Sequence, residues 1–139
     1  MPYPARLRLV VDTNIWVSYL LTNSFAALIQ GWNSGSIVLL YSEEMLAEMR
    51  DVLARSKVLK RVPASLSNAF LTEFKRNATL VEVTSTVDKC RDKKDNYLLA
   101  LSKDGAADLL ITGDEDLRVL GSFGKTVILS PTEYIAAFK

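Results

Sequence analysis

Asp12, Glu48, Asp95 and Asp114 each stand at the edge of an apolar segment. Asp12 ends the run Leu7-Arg8-Leu9-Val10-Val11, and Asp114 ends Leu109-Leu110-Ile111-Thr112-Gly113. A carboxylate placed directly after a buried strand falls in the crevice beyond the strands' carboxyl ends, where open α/β sheets bind ligands. Carboxylates gathered there repel one another unless a cation intervenes, so the pattern points to a Mg²⁺ or Mn²⁺ site. The chain contains no histidine. That excludes histidine-based triads, His-ligated zinc and imidazole acid–base catalysis, and leaves carboxylates and metals as the agents of any chemistry.

Each acid also has an ordinary explanation. Asp12 opens Asp12-Thr13-Asn14, and Asp and Asn favour helix caps and turns. Glu48 borders a stripe of Met45, Met49 and Val52, where it is either a ligand or a flanking charge paired with Arg50 or Arg55; Glu44, one turn earlier, is its natural substitute. Asp95 shares a helical face with Leu98, Leu99 and Ser102, and a carboxylate on a buried face wants a partner. Asp92 is the candidate N-cap of that helix or an outer-sphere group. Asp114 follows Gly113, which lets the backbone approach closely, and Thr112 offers a hydroxyl beside the metal or its water. Asp116 is a candidate auxiliary ligand. Singly these signals are unspecific; jointly they are much stronger.

The elements that must position these groups follow from periodicity. Leu7 to Val11 reads as a buried parallel strand, Ile37 to Tyr41 as a second, Leu80 to Val83 as a short third, Leu109 to Thr112 as a fourth and Thr126 to Leu129 as a fifth. Helices are expected at Asn14 to Leu21, at Phe25 to Trp32, and from a Ser42 cap to about Arg55. Further helices should follow Pro63, carrying Leu66, Phe70, Leu71 and Phe74, and run from Lys93 to Lys103 with Gly105 ending it. A short helix from Glu115 to Leu120 and a last one from Ser130-Pro131 to Phe138 complete the chain. Strands alternating with helices mean a mostly parallel five-stranded sheet wrapped by helices on both faces.

Composition sets outer bounds. A chain of 139 residues with no repeat or linker reads as a single domain over 1–139. Its longest apolar stretches fall well short of the ~20 residues a membrane-spanning helix needs. Met1-Pro2-Tyr3-Pro4 shows no signal-peptide pattern, and a cytoplasmic protein is expected. Cys90 is alone, so neither an intramolecular disulfide nor a cysteine zinc cluster can form. A net charge of +1 is too small for a non-specific DNA coater, although an acidic pocket can cancel a basic rim in the total.

Together these segments resemble the PIN-domain family of small nucleases, and within it the VapC-like toxins of prokaryotic toxin–antitoxin systems. The resemblance is carried by Val10-Val11-Asp12-Thr13-Asn14, by Glu48 in Leu46-Ala47-Glu48-Met49, and by Asp92-Lys93-Lys94-Asp95-Asn96-Tyr97-Leu98-Leu99-Ala100. It continues through Ala107-Asp108-Leu109-Leu110-Ile111-Thr112-Gly113-Asp114-Glu115-Asp116-Leu117 and closes with Leu129-Ser130-Pro131-Thr132-Glu133-Tyr134. It implies a Rossmann-like three-layer α/β/α sandwich, a carboxylate cluster binding Mg²⁺ or Mn²⁺, and cleavage of single-stranded RNA. It further implies a homodimer, and a separate antitoxin protein that blocks the site. One departure is Lys93, where related chains often carry proline.

The expected chemistry is metal-assisted phosphodiester hydrolysis. Asp12, Asp95 and Asp114 would hold a first cation, and Glu48 would bind a second or orient the attacking water. Asn14, Thr112 and Asp92 support them, and Asp116 assists as a ligand. Lys93 and Lys94, then Arg50, Arg55 and Lys57, are the candidates for phosphate contact. Trp16 and Tyr19 either stack on bases or fill the core. The alternatives are a phosphatase-type hydrolase using Asp12 as nucleophile, a non-catalytic RNA- or protein-binding module, and a structure-specific DNA nuclease. Asn14 stands where the phosphatase class wants its second acid.

Overall fold

The computed structural model describes residues 6–22, 32, 35–90 and 95–137. Among them, five apolar residues at Leu7–Val11 form β1, and Ile37–Tyr41 form β2 in parallel register, with Leu7 opposite Ile37. On its other side β1 pairs with β4, Leu109–Ile111, again in parallel, with Val11 opposite Ile111. The edge beyond β2 is β3, Thr79–Leu80, and beyond β4 lie β6, Thr126–Leu129, and the antiparallel β5, Ser122–Phe123. The order β3-β2-β1-β4-β6-β5 means that the chain builds outward from β1 in one direction, then returns to build in the other. The reversal falls between β1 and β4, and it opens a crevice beyond their carboxyl ends.

Helices flank the sheet. The described ones are α1 (Thr13–Thr22), α2 (Glu43–Leu53), α3 (Ser56–Leu59), α4 (Ala64–Asn77), α5 (Asn96–Asp104), α6 (Glu115–Arg118) and α7 (Pro131–Ala137). Ser42 caps α2 by accepting from the Met45 amide, and Glu43 and Glu44 complement the positive end of its dipole. Ser130 and Glu133 form a reciprocal capping box on α7. At the end of α5, a Cβ on Gly105 would lie 2.8 Å from Leu40 Cδ1, so glycine is what lets this helix close down on β2.

The buried centre is the two-sided sheet, with Leu9, Val10, Leu109 and Leu110 inaccessible and Leu98, Leu99 and Leu101 of α5 laid on it. Trp16, Trp32, Phe70, Phe74 and Tyr41 make a second cluster with ring centroids 5.5 to 5.9 Å apart. Trp16 is thus core, not a base-stacking surface.

The α/β sandwich with a mostly parallel sheet is as expected, but the sheet has six strands instead of five. The extra strand, β5, spans two residues and is joined to β6 by a tight turn with Gly124 at φ +59°; it is too short to show alternation. β3 stops at Leu80 instead of Val83 because the Thr84 and Ser85 amides turn to the Asp104 carboxylate. The helix from Ser42 ends at Leu53, and α3 follows as a separate turn. The described part of α5 begins at Asn96, later than the expected Lys93. The helix expected over Phe25 to Trp32 lies, apart from Trp32, outside the described residues. No described helix is long and apolar enough to cross a membrane.

Candidate active site

β1 and β4 each extend their pairing by one residue: the Asp12 amide donates to Ile111 O at 2.9 Å, and the Thr112 amide to Leu129 O at 2.9 Å. This sets Asp12 beside Thr112 at the end of the sheet. The Thr112 hydroxyl donates to Asp12 Oδ2 at 2.8 Å and accepts from the Asp114 amide at 3.0 Å. One threonine therefore ties the first acid to the loop carrying the last. From the other side, α2 delivers Glu48: the Thr13 hydroxyl lies 3.1 Å from Glu48 Oε1 and 3.5 Å from Asp12 Oδ1. The Asn14 amide completes the set, donating to Asp12 Oδ1 at 3.2 Å.

Asp12 is 5% exposed, and no ion pair reaches it, Glu48 or Asp114 among the described residues. Burial pushes the Asp12 carboxyl above its ordinary range, against the hydrogen bonds from Thr112 and Asn14, and the negative charges of Glu48 and Asp114 push the same way. Tyr97, in the first turn of α5, has its hydroxyl buried next to Glu48 and Thr13, though it closes no well-formed hydrogen bond. Burial first, and then Glu48, drive its phenol far above the usual value.

Hard oxygen donors without a cationic partner suit Mg²⁺ or Mn²⁺ in chemical type. In placement they are less ready: no three His, Cys, Asp or Glu side chains among the described residues converge as a metal-holding group. The Asp12 oxygens are turned to hydroxyl and amide donors, and Asp114 Oδ1 caps α6 by accepting from the Asp116 amide at 2.8 Å. The donor set fits a divalent cation, and its side chains would need to turn from these internal hydrogen bonds to hold one.

Glu48 and Asp114 thus stand close enough to Asp12 for their charges to act on it, although the three do not close into a metal-holding group. For Asp12 and Asp114 the turn-and-cap reading and the site reading are both realised, since capping orients the same carboxylates. Asp95 is half-buried at the N-cap position of α5, while Leu98, Leu99 and Ser102 on the face below it are fully buried. Asp116 is half-buried, and Asn14 is exposed and contributes through its backbone. Glu48 is not paired with Arg55, which meets Asp51 instead at 3.9 Å. Arg50 lines a separate groove between α2 and α4 with Leu53, Leu59 and Leu71, so it does not stand with the carboxylates. Asp92, Lys93 and Lys94 lie outside the described residues.

Sequence reasoning missed two members, Thr13 and Tyr97. Thr13 follows Asp12 directly and is fully buried, and a hydroxyl beside a candidate ligand was the available signal. Tyr97 had none, because its approach to Glu48 depends on how α5 packs against α2. A cleft of about 800 Å³ opens next to it, lined by Ser42, Glu43, Glu44, Val83, Val87 and Tyr97 among others.

A family model described as PIN domain matches residues 8–116, a span that contains all four principal acids. Among solved structures, the chain resembles the crystal structure of PAE2754 from Pyrobaculum aerophilum at a TM-score of 0.59 and 14% identity. That match covers 96% of this chain and 89% of the other, and it bears on the fold alone. No curated protein matches the chain.

Proposed function

The chain belongs to the PIN-domain family, whose members are generally metal-dependent nucleases, and from that premise we propose that it is a Mg²⁺- or Mn²⁺-dependent endoribonuclease acting on single-stranded RNA. The carrying observation is the placement of Glu48 and Asp114 about the buried Asp12, from three separate elements, at the strand-order reversal, with no ion pair to any of the three among the described residues. In this reading Asp12, Asp95 and Asp114 hold the cation and Glu48 assists, with Asp116 in reserve. A divalent ion so held supplies charge neutralisation at the phosphate and a more acidic water. Thr112 and Thr13 keep Asp12 and Glu48 turned toward one another. Lys93 and Lys94 meet the phosphates.

The biological role proposed is the toxin of a type II toxin–antitoxin pair, working in the cytoplasm as a homodimer and blocked by a cognate antitoxin protein. It rests on the VapC-like character of the motif segments. A second reading, a non-catalytic RNA- or protein-binding PIN module, is favoured by the lack of a ready ligand group among the described residues.

The deciding experiment incubates the protein with mixed tRNA, mRNA and single-stranded DNA plus Mn²⁺, beside Asp12→Asn and a chelated control. RNA cleavage by the wild type alone, lost with chelator, is expected. Equal cleavage by Asp12→Asn overturns the mechanism, and no cleavage by either protein favours the binding module.

A further inference from the structure

We propose that Tyr97 is a positioning residue, whose buried hydroxyl donates to the Glu48 carboxylate and fixes the direction in which Glu48 faces Asp12. Thr13 has one hydroxyl proton and two carboxylates within reach, Glu48 Oε1 at 3.1 Å and Asp12 Oδ1 at 3.5 Å. Asp12 already accepts from the Thr112 hydroxyl and the Asn14 amide, so the Thr13 proton serves Glu48, whose remaining lone pairs have room for a second donor. The Tyr97 hydroxyl is inaccessible to water, lies next to Glu48 and Thr13, and has no formed hydrogen bond among the described residues. A buried hydroxyl is costly to leave unsatisfied, and its nearest strong acceptor is an anion. With Tyr97 bonded to Glu48 beside Thr13, two donors fix the direction of Glu48 as Thr112 and Asn14 fix that of Asp12. The ring comes from the first turn of α5, two residues after the Asp95 cap position, so the bond also ties the Glu48 helix to the Asp95 helix.

The inference rests on Glu48 serving the proposed nuclease site, but its first test needs neither metal nor RNA. The chain has five tyrosines, so an ultraviolet resonance Raman spectrum of wild type minus Tyr97→Phe isolates the ring doublet of Tyr97. The doublet of a donating hydroxyl is expected, and it should shift when the same difference is taken in a Glu48→Ala background. A non-donor doublet, or one indifferent to Glu48→Ala, overturns the proposal. The second test is kinetic. With Mn²⁺, Tyr97→Phe should lower kcat about tenfold, the scale of a hydrogen bond to a charged group, and leave KM for RNA nearly unchanged. Added to Glu48→Ala, it should cost nothing more, since both changes remove the same link. Fully additive losses overturn the role. If the wild type cleaves no RNA, the nuclease reading fails and the Raman result still decides the Tyr97–Glu48 bond.

Discussion

The two ends of the sheet treat the same chemical group in opposite ways. Where the strands begin, the Asp108 carboxylate accepts from the Arg8 amide at 2.9 Å and pairs with Lys125 at 3.3 Å. The Arg8 guanidinium meanwhile donates twice to Gly105 O, satisfying the carbonyl end of α5. Nearby, Asp104 accepts from the Thr84 and Ser85 amides and the Ser85 hydroxyl. Where the strands finish, Asp12, Glu48 and Asp114 meet only hydroxyls, amides and one another among the described residues. The first end is compensated and serves stability. The second sets a buried carboxylate beside two half-buried ones, like charges that a fold selected for stability alone would avoid, which marks it as the functional end.

The sharpest way to break this comparison is Asp12→Asn. Losing a ligand should cost at least about 100-fold in RNA cleavage, beyond the ~10–100-fold typical of groups that merely orient ligands. In metal-free protein the same change should raise the melting temperature, because it removes a desolvated charge. A fall in melting temperature would mean that this end is compensated after all. Thr112→Val should follow, lowering kcat/KM roughly 10- to 100-fold by releasing Asp12 and Asp114 from their shared hydroxyl. At the other end, Asp108→Ala should cost about 1–3 kcal/mol in urea unfolding by leaving the Arg8 amide without its acceptor. Cleavage below the new transition should be unchanged.

The smallest effect sharpens the contrast through pH. Asp12 has a folded-state pKa above its ordinary 3.8, so its favourable contribution is complete below that value and is lost as pH rises through the folded pKa. Asp104 is shifted below 3.8 by the Ser85 hydroxyl and the Ser85 and Thr84 amides, so its contribution is present above that value and is lost as pH falls. In chelator-treated protein, Asp12→Asn should therefore be more stable than wild type at neutral pH, and Asp104→Asn less stable. Both gaps should close as the pH is lowered past these transitions. Unfolding curves across pH, with the two variants shifted to the same side of wild type, would sink the distinction.

Much of the scaffold was legible because burial on both faces forces near-continuous apolar runs. Leu7–Val11, Ile37–Tyr41 and Thr126–Leu129 are strands over the very residues expected. Ser42 was legible as a cap because its hydroxyl acts over three residues, well within the reach of sequence pattern. β5 and α3 were not, since neither is long enough to repeat its own period. In the site, Asp12 and Asp114 were readable from their positions after strands. Thr13 and Tyr97 were not singled out, because a threonine or tyrosine becomes a partner only through what packs against it.

Residue types and local order were settled by the chain alone: no imidazole, a lone thiol, and acids set at the ends of apolar runs. Which acids meet was decided by tertiary structure. Thr112 reaches Asp12 across 100 positions only because hydrophobic burial of the sheet sets β4 beside β1. Glu48 joins them only because α2 packs against α1. Whether a carboxylate finds a cation or another carboxylate is a matter of what lies within a few ångströms, and strand order, not sequence distance, fixes that.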